Sequence, residues 1–384
     1  MKISFVGKYP PIMGGESTKL YWLARGLGER GHEIFLVSDC QERVLEGGLS
    51  LDDLDHLQPE NVKLYSTSNL NVTSTSKDFR TERLANLTIR VVAERDPDLM
   101  VGWYLLPYSS AAFLASRMTN KPFVVQHAGS DMKRLFHNKN LKAFFLNMFH
   151  SADGIMSYPS YFNLFNQVNS NVFFHSPCVP VEAFQRVPGL DFAELGFSEL
   201  NQRRVLTFFG KFSETKGIFD AARAYKLVSG RDNSLLFVGE GEARDRLEVV
   251  VDEEGIRNVY FHEPLPPWRI PQLLKSSAAV LVPERGFPVQ NHVSRKPMEA
   301  MAAGAPVIIS PDIKGKRLYS SLVDGEQCLV VDPKDHSSLG NAMKYLIESG
   351  EGIGQRGREF AEQTNDFNSY VSRVEEYFGK VVTS

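Results

Sequence analysis

The chain has 384 residues, 42% hydrophobic and 23% charged, a composition that fills hydrophobic cores and excludes intrinsic disorder; the length exceeds one ordinary core and predicts two domains. A net charge of -3 and a pI near 6.3 exclude the basic footprint of a nucleic-acid binder. Three cysteines, Cys40, Cys178 and Cys328, give neither an even disulfide set nor a metal-ligand spacing and fit a reducing compartment.

The opening MKISFVGKYPP holds an apolar run too short for a signal peptide, and no later stretch approaches the roughly 20 apolar residues of a membrane span. A cytoplasmic protein is expected, soluble or peripheral on the membrane face. Residues 2–6 form an apolar strand, and residues 7–15 a loop containing Pro10, Pro11, Gly14 and Gly15. Residues 17–30 then place Leu20, Leu23, Ala24 and Leu27 at helical spacing, and 33–37 return to a strand. Such a βαβ unit opens a doubly wound nucleotide-binding domain. Its loop is not G-x-G-x-x-G, which argues against a dinucleotide. Gly14 and Gly15 either let backbone N–H groups approach a ligand or serve a tight strand-to-helix turn.

Residues 41–90 are weakly patterned and predict a variable connection, with a helix over 76–94. Asp96-Pro-Asp98 has the form of a metal-bridging carboxylate pair, but Pro97 and the strand at 99–102 favour a helix-ending turn, so no metal site is expected. Trp103, Tyr104 and Tyr108 follow that strand and could stack on a sugar or simply pack. The strand at 122–126 delivers His127, Gly129, Ser130 and Asp131 at its carboxyl end, where parallel sheets hold ligands. Residues 132–150 are basic and rich in phenylalanine. They read either as an amphipathic helix on an anionic membrane surface or as a helix burying its aromatic face, the reading that Asn138 and Asn140 favour. The segment 154–157 is expected to be the last strand of a first domain, 1–185, with its helix at 160–168, and a Pro- and Gly-broken linker runs over 176–204.

A second domain, 200–365, is expected to start with the strand 205–209 and the loop GKFSETKG. There Lys211 and Lys216 flank a helix N-terminus and could neutralise a diphosphate or be ordinary surface lysines. Strands at 235–239 and 259–262 flank GEGEARDRL, in which Gly239 and Gly241 serve a turn or a ligand. The strand 278–282 leads into a loop carrying Glu284, Gly286, Phe287, His292, Arg295 and Lys296, then Glu299 in the helix segment MEAMAAG and a strand at 307–310. Carboxylates in this position can hold sugar hydroxyls, while the cations and the helix N–H groups can hold phosphate. Arg295 and Lys296 read equally as phosphate contacts or solvated loop residues. A strand at 328–331, a helix at 337–348 and a final amphipathic helix within 366–384, expected to return to the first domain, complete the chain.

Three stretches, PPIMGGESTKLYWLARGLGERGHEI, GKFSETKG and ERGFP followed by EAMAAGAPVI, resemble the family 4 retaining glycosyltransferases of GT-B fold. The resemblance implies an α/β protein of two Rossmann-like, doubly wound parallel-sheet domains facing a central cleft. It implies transfer of a hexosyl or N-acetylhexosaminyl group from a nucleotide-diphosphate sugar, with no other cofactor, to a hydroxyl acceptor. Catalytic positions would be His127, Lys211, Lys216 and Glu284. Gly14, Gly15, Gly210, Gly239, Glu299 and Ala300 would bind the donor, together with Arg295 and Lys296, while Asp131, Trp103 and Tyr104 would lie on the acceptor side. Three departures stand out: Lys211 replaces the family's arginine, Ala128 enters the HGSD-like motif, and an insertion lengthens the spacing of Glu284 and Glu299. A nucleotide-sugar epimerase and a non-catalytic partner subunit are the rival readings.

Overall fold

Parallel strands covered by helices on both faces are written as continuous apolar runs, and this chain has two sets of them. The computed structural model describes residues 1–39, 57–67, 79–176, 178–287 and 293–384. These divide into one unit made of Met1–Ser176 and Asn368–Ser384 and another made of Pro177–Phe367.

The first unit holds strands β1 (Lys2–Gly7), β2 (Glu33–Ser38), β3 (Val62–Ser66), β4 (Leu99–Trp103), β5 (Phe123–Gln126), β6 (Gly154–Ser157) and β7 (Val172–Phe174). They form a parallel sheet in the order β3-β2-β1-β4-β5-β6-β7. The strand order reverses between β1 and β4, which opens a crevice at their carboxyl ends. Two of these strands were not expected. β3 lies in the weakly patterned region, and β7 is a half-buried edge of three residues, too short to show a period.

The basic, aromatic stretch forms two helical pieces, Met132–Phe136 and Lys139–Ser151, separated at Asn138, whose side chain accepts from the Asn140 N–H as an N-cap. Phe136, Phe145 and Phe149 enter the core of the unit, as in the core-packing alternative. No described helix is long and apolar enough to cross a membrane. The last helix, Phe367–Thr383, buries Tyr370, Val374, Tyr377 and Phe378 on one stripe. It packs in the first unit, where the Tyr377 hydroxyl donates to the Asn171 carbonyl at 3.0 Å.

The second unit holds β8 (Arg204–Phe209), β9 (Asn233–Val238), β10 (Val259–His262), β11 (Ala279–Val282), β12 (Val307–Ile309) and β13 (Leu329–Val330), ordered β10-β9-β8-β11-β12-β13. Residues 178–199, expected to be a domain end and a linker, fold into this unit; the helix Val181–Gln185 lies against the helices Ile270–Lys275 and Lys296–Ala302. Here the order reverses between β8 and β11. The loops that leave β8, β9 and β11 touch backbone to backbone. A Cβ on Gly239 would sit 1.9 Å from the Gly210 carbonyl oxygen, and one on Gly217 would sit 2.1 Å from that of Pro283. With φ of +152° and +71°, these positions suit glycine on both counts.

Candidate functional site

Strand β11 ends at Val282, and the chain then turns Glu284 inward. Its backbone carbonyl accepts from the Ser310 hydroxyl at the end of β12, and its carboxylate accepts from the Ser294 hydroxyl at 2.9 Å. Ser294 is held in turn, because its carbonyl accepts from the buried Tyr319 hydroxyl at 2.5 Å. Across the β8–β11 switch point, Lys216 places its ammonium 2.7 Å from Glu284 Oε2, and Lys296 places its own 3.5 Å from Oε1. The Glu284 side chain is 2% exposed and the two lysine side chains 11% and 14%, so the charges interact with little solvent screening.

Aromatic rings wall the cluster. The Lys216 ammonium lies 4.4 Å from the centre of the Phe287 ring, and that of Lys296 lies 4.7 Å from Phe208. A Cβ at Gly210, where φ is +119°, would come within 2.7 Å of the Lys296 ammonium. Gly210 therefore makes room for a lysine. Burial, followed by repulsion from Lys216, draws the Lys296 pKa down to about 8 against the pull of Glu284. Arg295 and Glu299 lie beside this cluster, 3.8 Å apart and both buried, and burial raises the Glu299 carboxyl. A cavity of about 340 Å³ adjoins Glu284, lined also by Gly286, Phe287, Asp312 and Lys316.

Other expected donor positions lie elsewhere. Lys211 is 63% exposed and paired with Glu242 at 2.8 Å, so it does not join Lys216. Ala300 is wholly buried within its helix and presents no surface to a ligand. Gly239 serves the contact between the two loops. His292 lies outside the described residues.

In the first unit Gly14, with φ of +129°, and Gly15 stand at the start of the helix Gly15–Gly28, and a Cβ on either would meet nothing within 4 Å. His127 is fully enclosed. Its ring stacks on Phe165 at 5.0 Å and meets Tyr158 and Tyr161 edge-on. Its Nδ1 lies 3.3 Å from the Ala128 carbonyl, which can only accept, so Nδ1 carries the proton and Nε2 accepts from the Ser157 hydroxyl at 2.8 Å. Burial lowers its pKa to about 3, and the ring is a neutral, positioned group rather than an exposed sugar contact.

Asp131 is also buried. Its Oδ2 accepts from the Leu105 N–H at 2.9 Å and so braces the segment after β4, while burial raises its carboxyl to about 8. Trp103 is 1% exposed, packed edge-on against Phe5. The expected acceptor-side role for Trp103 gives way to core packing, because its side chain is enclosed against Phe5 and the bare backbone of Gly7. Tyr104 is half-buried, at φ +83°, and Lys8 from the loop after β1 lies 4.6 Å over its ring. Sequence reading overlooked Lys8, as it did the ion pair of Asp39 and Arg80, which also holds the Tyr108 hydroxyl. Single charged residues at the ends of strands and helices carry no periodic signal; the fold brings these together beyond the carboxyl ends of β1, β2 and β4. Among the described residues no group of three or more His, Cys, Asp or Glu side chains could hold a metal.

Two Rossmann-like units with parallel sheets of seven and six strands define the GT-B architecture. The solved structure of Anabaena HepE in complex with UDP-glucose superposes with a TM-score of 0.71 at 17% identity, covering 99% of this chain and all of that one. Residues 195–365, within the second unit, match the family "Glycosyl transferases group 1". An uncharacterized glycosyltransferase of Methanocaldococcus jannaschii is 31% identical over 112 residues, 29% of this chain and 28% of that protein. TuaC, a Bacillus subtilis glycosyltransferase assigned to teichuronic acid biosynthesis, is 24% identical over 272 residues, 68% of this chain and 64% of that protein. The chain thus spans less than two thirds of the length of either curated relative.

Proposed function

We propose that the protein is a retaining glycosyltransferase that moves a hexosyl or N-acetylhexosaminyl group from a nucleotide-diphosphate sugar to a hydroxyl of a glycan or glycoconjugate, without a metal. The observation that carries this reading is the pair of buried ammonium groups, Lys216 and Lys296, gathered around Glu284 at the switch point of the second sheet. Crevices at such points receive ligands in open α/β sheets, and two cations with little access to water stabilise a diphosphate as its charge grows. The match to the group 1 family and the likeness to a protein that binds UDP-glucose support the same assignment.

In this reading the sugar rests by Glu284 in the cavity next to Phe287 and Asp312, and Glu299 holds the ribose hydroxyls. The bond from the anomeric carbon to the diphosphate oxygen breaks with its electron pair going to the leaving group, which Lys216 and Lys296 hold. The acceptor oxygen forms its bond on the same face, and the departing phosphate takes the acceptor's proton. Asp131 and Lys8 in the first unit shape the acceptor's surroundings through Tyr104 and Leu105.

The test is a donor panel of UDP-, GDP-, ADP- and TDP-sugars with and without EDTA, read by calorimetric binding and by release of nucleoside diphosphate in the presence of glycan acceptors. One donor that binds and turns over equally with EDTA supports the proposal. Binding that disappears with EDTA and returns with Mn²⁺ refutes its metal-free part, and absence of binding to any donor refutes the whole.

A further inference from the structure

Glu284 sits where its negative charge is useful to the two lysines and unhelpful to an incoming anion. Lys216, Lys296 and Arg295 oppose Glu284 and Glu299 within one buried group, and the Glu284 carboxylate takes the short contact, 2.7 Å, with Lys216. A diphosphate drawn to these ammonium groups meets a carboxylate already bound to them. We infer that Glu284 is an internal competitor for the anion site, and that it discriminates the nucleotide sugar from the nucleoside diphosphate left after transfer. This rests on the donor-site reading above.

The argument is one of partner exchange. A buried carboxylate that gives up an ammonium group is left uncompensated unless another donor replaces it. A nucleotide sugar brings that replacement, because sugar hydroxyls in the cavity beside Glu284 can donate to its oxygens while the diphosphate takes the lysines. A nucleoside diphosphate or pyrophosphate brings none. After transfer, Glu284 closes again on Lys216 and Lys296, and the diphosphate is held less firmly. The geometry of the carboxylate supports such a switch. Ser294 holds Oε1 from one side, and the backbone is pinned by Ser310, so a change of partner requires only rotation of the side chain.

The probes are pyrophosphate, which is indifferent to the base, and UDP with UDP-glucose, titrated calorimetrically at pH 6.5 into wild type, Glu284→Gln and Ser294→Ala. Glu284→Gln keeps the shape and removes the charge. It is expected to bind pyrophosphate about tenfold tighter, equivalent to about 1.4 kcal/mol, with UDP following and UDP-glucose gaining less. Ser294→Ala removes a donor from the carboxylate without changing its charge, so Glu284 depends more on the two lysines; it should weaken pyrophosphate by roughly threefold and decides the matter if Glu284→Gln fails to fold. If wild type binds pyrophosphate and the nucleotide but Glu284→Gln binds no tighter and Ser294→Ala no weaker, the competition is refuted while the donor site stands. If wild type binds none of the probes, the donor site itself is refuted and this inference falls with it.

Discussion

Gly210→Ala tests the geometry of the anion site from the backbone side. Gly210 has φ of +119°, and its missing Cβ would be 2.7 Å from both Cε and Nζ of Lys296. The lysine cannot retreat freely, because Phe208 and Phe209 lie 4.7 and 5.7 Å from its ammonium and Glu284 holds it at 3.5 Å. A side chain in this φ region costs about 1–3 kcal/mol. Loosening the partly buried pair of Lys296 and Glu284 adds roughly 1 kcal/mol. The expected loss of about 2–4 kcal/mol lowers the melting temperature of a unit this size by roughly 5–15 °C, and the displaced ammonium weakens pyrophosphate binding about tenfold. Thermal unfolding and calorimetry on the full chain read both. The double variant with Lys296→Ala separates clash from strain, since removing the lysine should recover roughly 1 kcal/mol as a coupling between the two sites. A Gly210→Ala protein that melts and binds like wild type would show that Gly210 does not make room for Lys296.

The two buried lysines should matter alike. Lys216→Met and Lys296→Met are each expected to weaken pyrophosphate by tenfold or more, and Lys211→Met by less than about threefold because its exposed pair with Glu242 is worth little; calorimetric titration gives the order. Lys296 must be protonated to hold phosphate, and its pKa of about 8 is below the ordinary 10.5, so affinity should fall as pH rises past about 8, with proton uptake on binding visible in buffers of different ionisation heat. The same depression means that the unfolded chain binds the proton more readily between pH 8 and 10.5; stability should therefore rise with pH across that window, and Lys296→Met should flatten the rise. His127 has a folded pKa of about 3 against 6.5. Its contribution is complete above pH 6.5 and lost as pH falls towards 3, and His127→Gln should flatten that acid limb in urea unfolding.

The fold was legible where a strand is written as an apolar run between turns, in the buried strand β6 and in the half-buried edge strand β10 alike. Residues 154–157 and 259–262 were read with the bounds they have as β6 and β10, because an apolar run between polar turns leaves little choice. The helices Ser110–Thr119 and Glu351–Thr364 went unread: the first is rich in small residues and the second is mostly polar, so neither shows a wide apolar stripe. In the site, the lysines and glutamates were legible as chemistry but their pairing was not, because Lys216 and Glu284 meet only when β8 and β11 become neighbours in the sheet. Trp103 shows the converse: residue type left stacking on a sugar and packing both open, and the structure encloses it beside Phe5.

The lengthened stretch between Glu284 and Glu299, part of which lies outside the described residues, is anchored at both of its ends. Equal spacing would matter if the intervening chain set the positions of the two carboxylates. Instead each carboxylate is fixed locally. Glu284 is tied to the end of β12 through Ser310 and to Ser294 through its carboxylate, and Glu299 stands in a helix that starts at Lys296. Tyr319, donating to the Ser294 carbonyl, fixes the point at which the chain re-enters the site. Lengthening a loop between two fixed ends adds only slowly to its closure entropy, about 0.6 kcal/mol per doubling. An insertion there is therefore compatible with an intact pair of carboxylates, and the residues that preserve it are Ser294, Ser310 and Tyr319, none of which belongs to the motif by which the site was recognised.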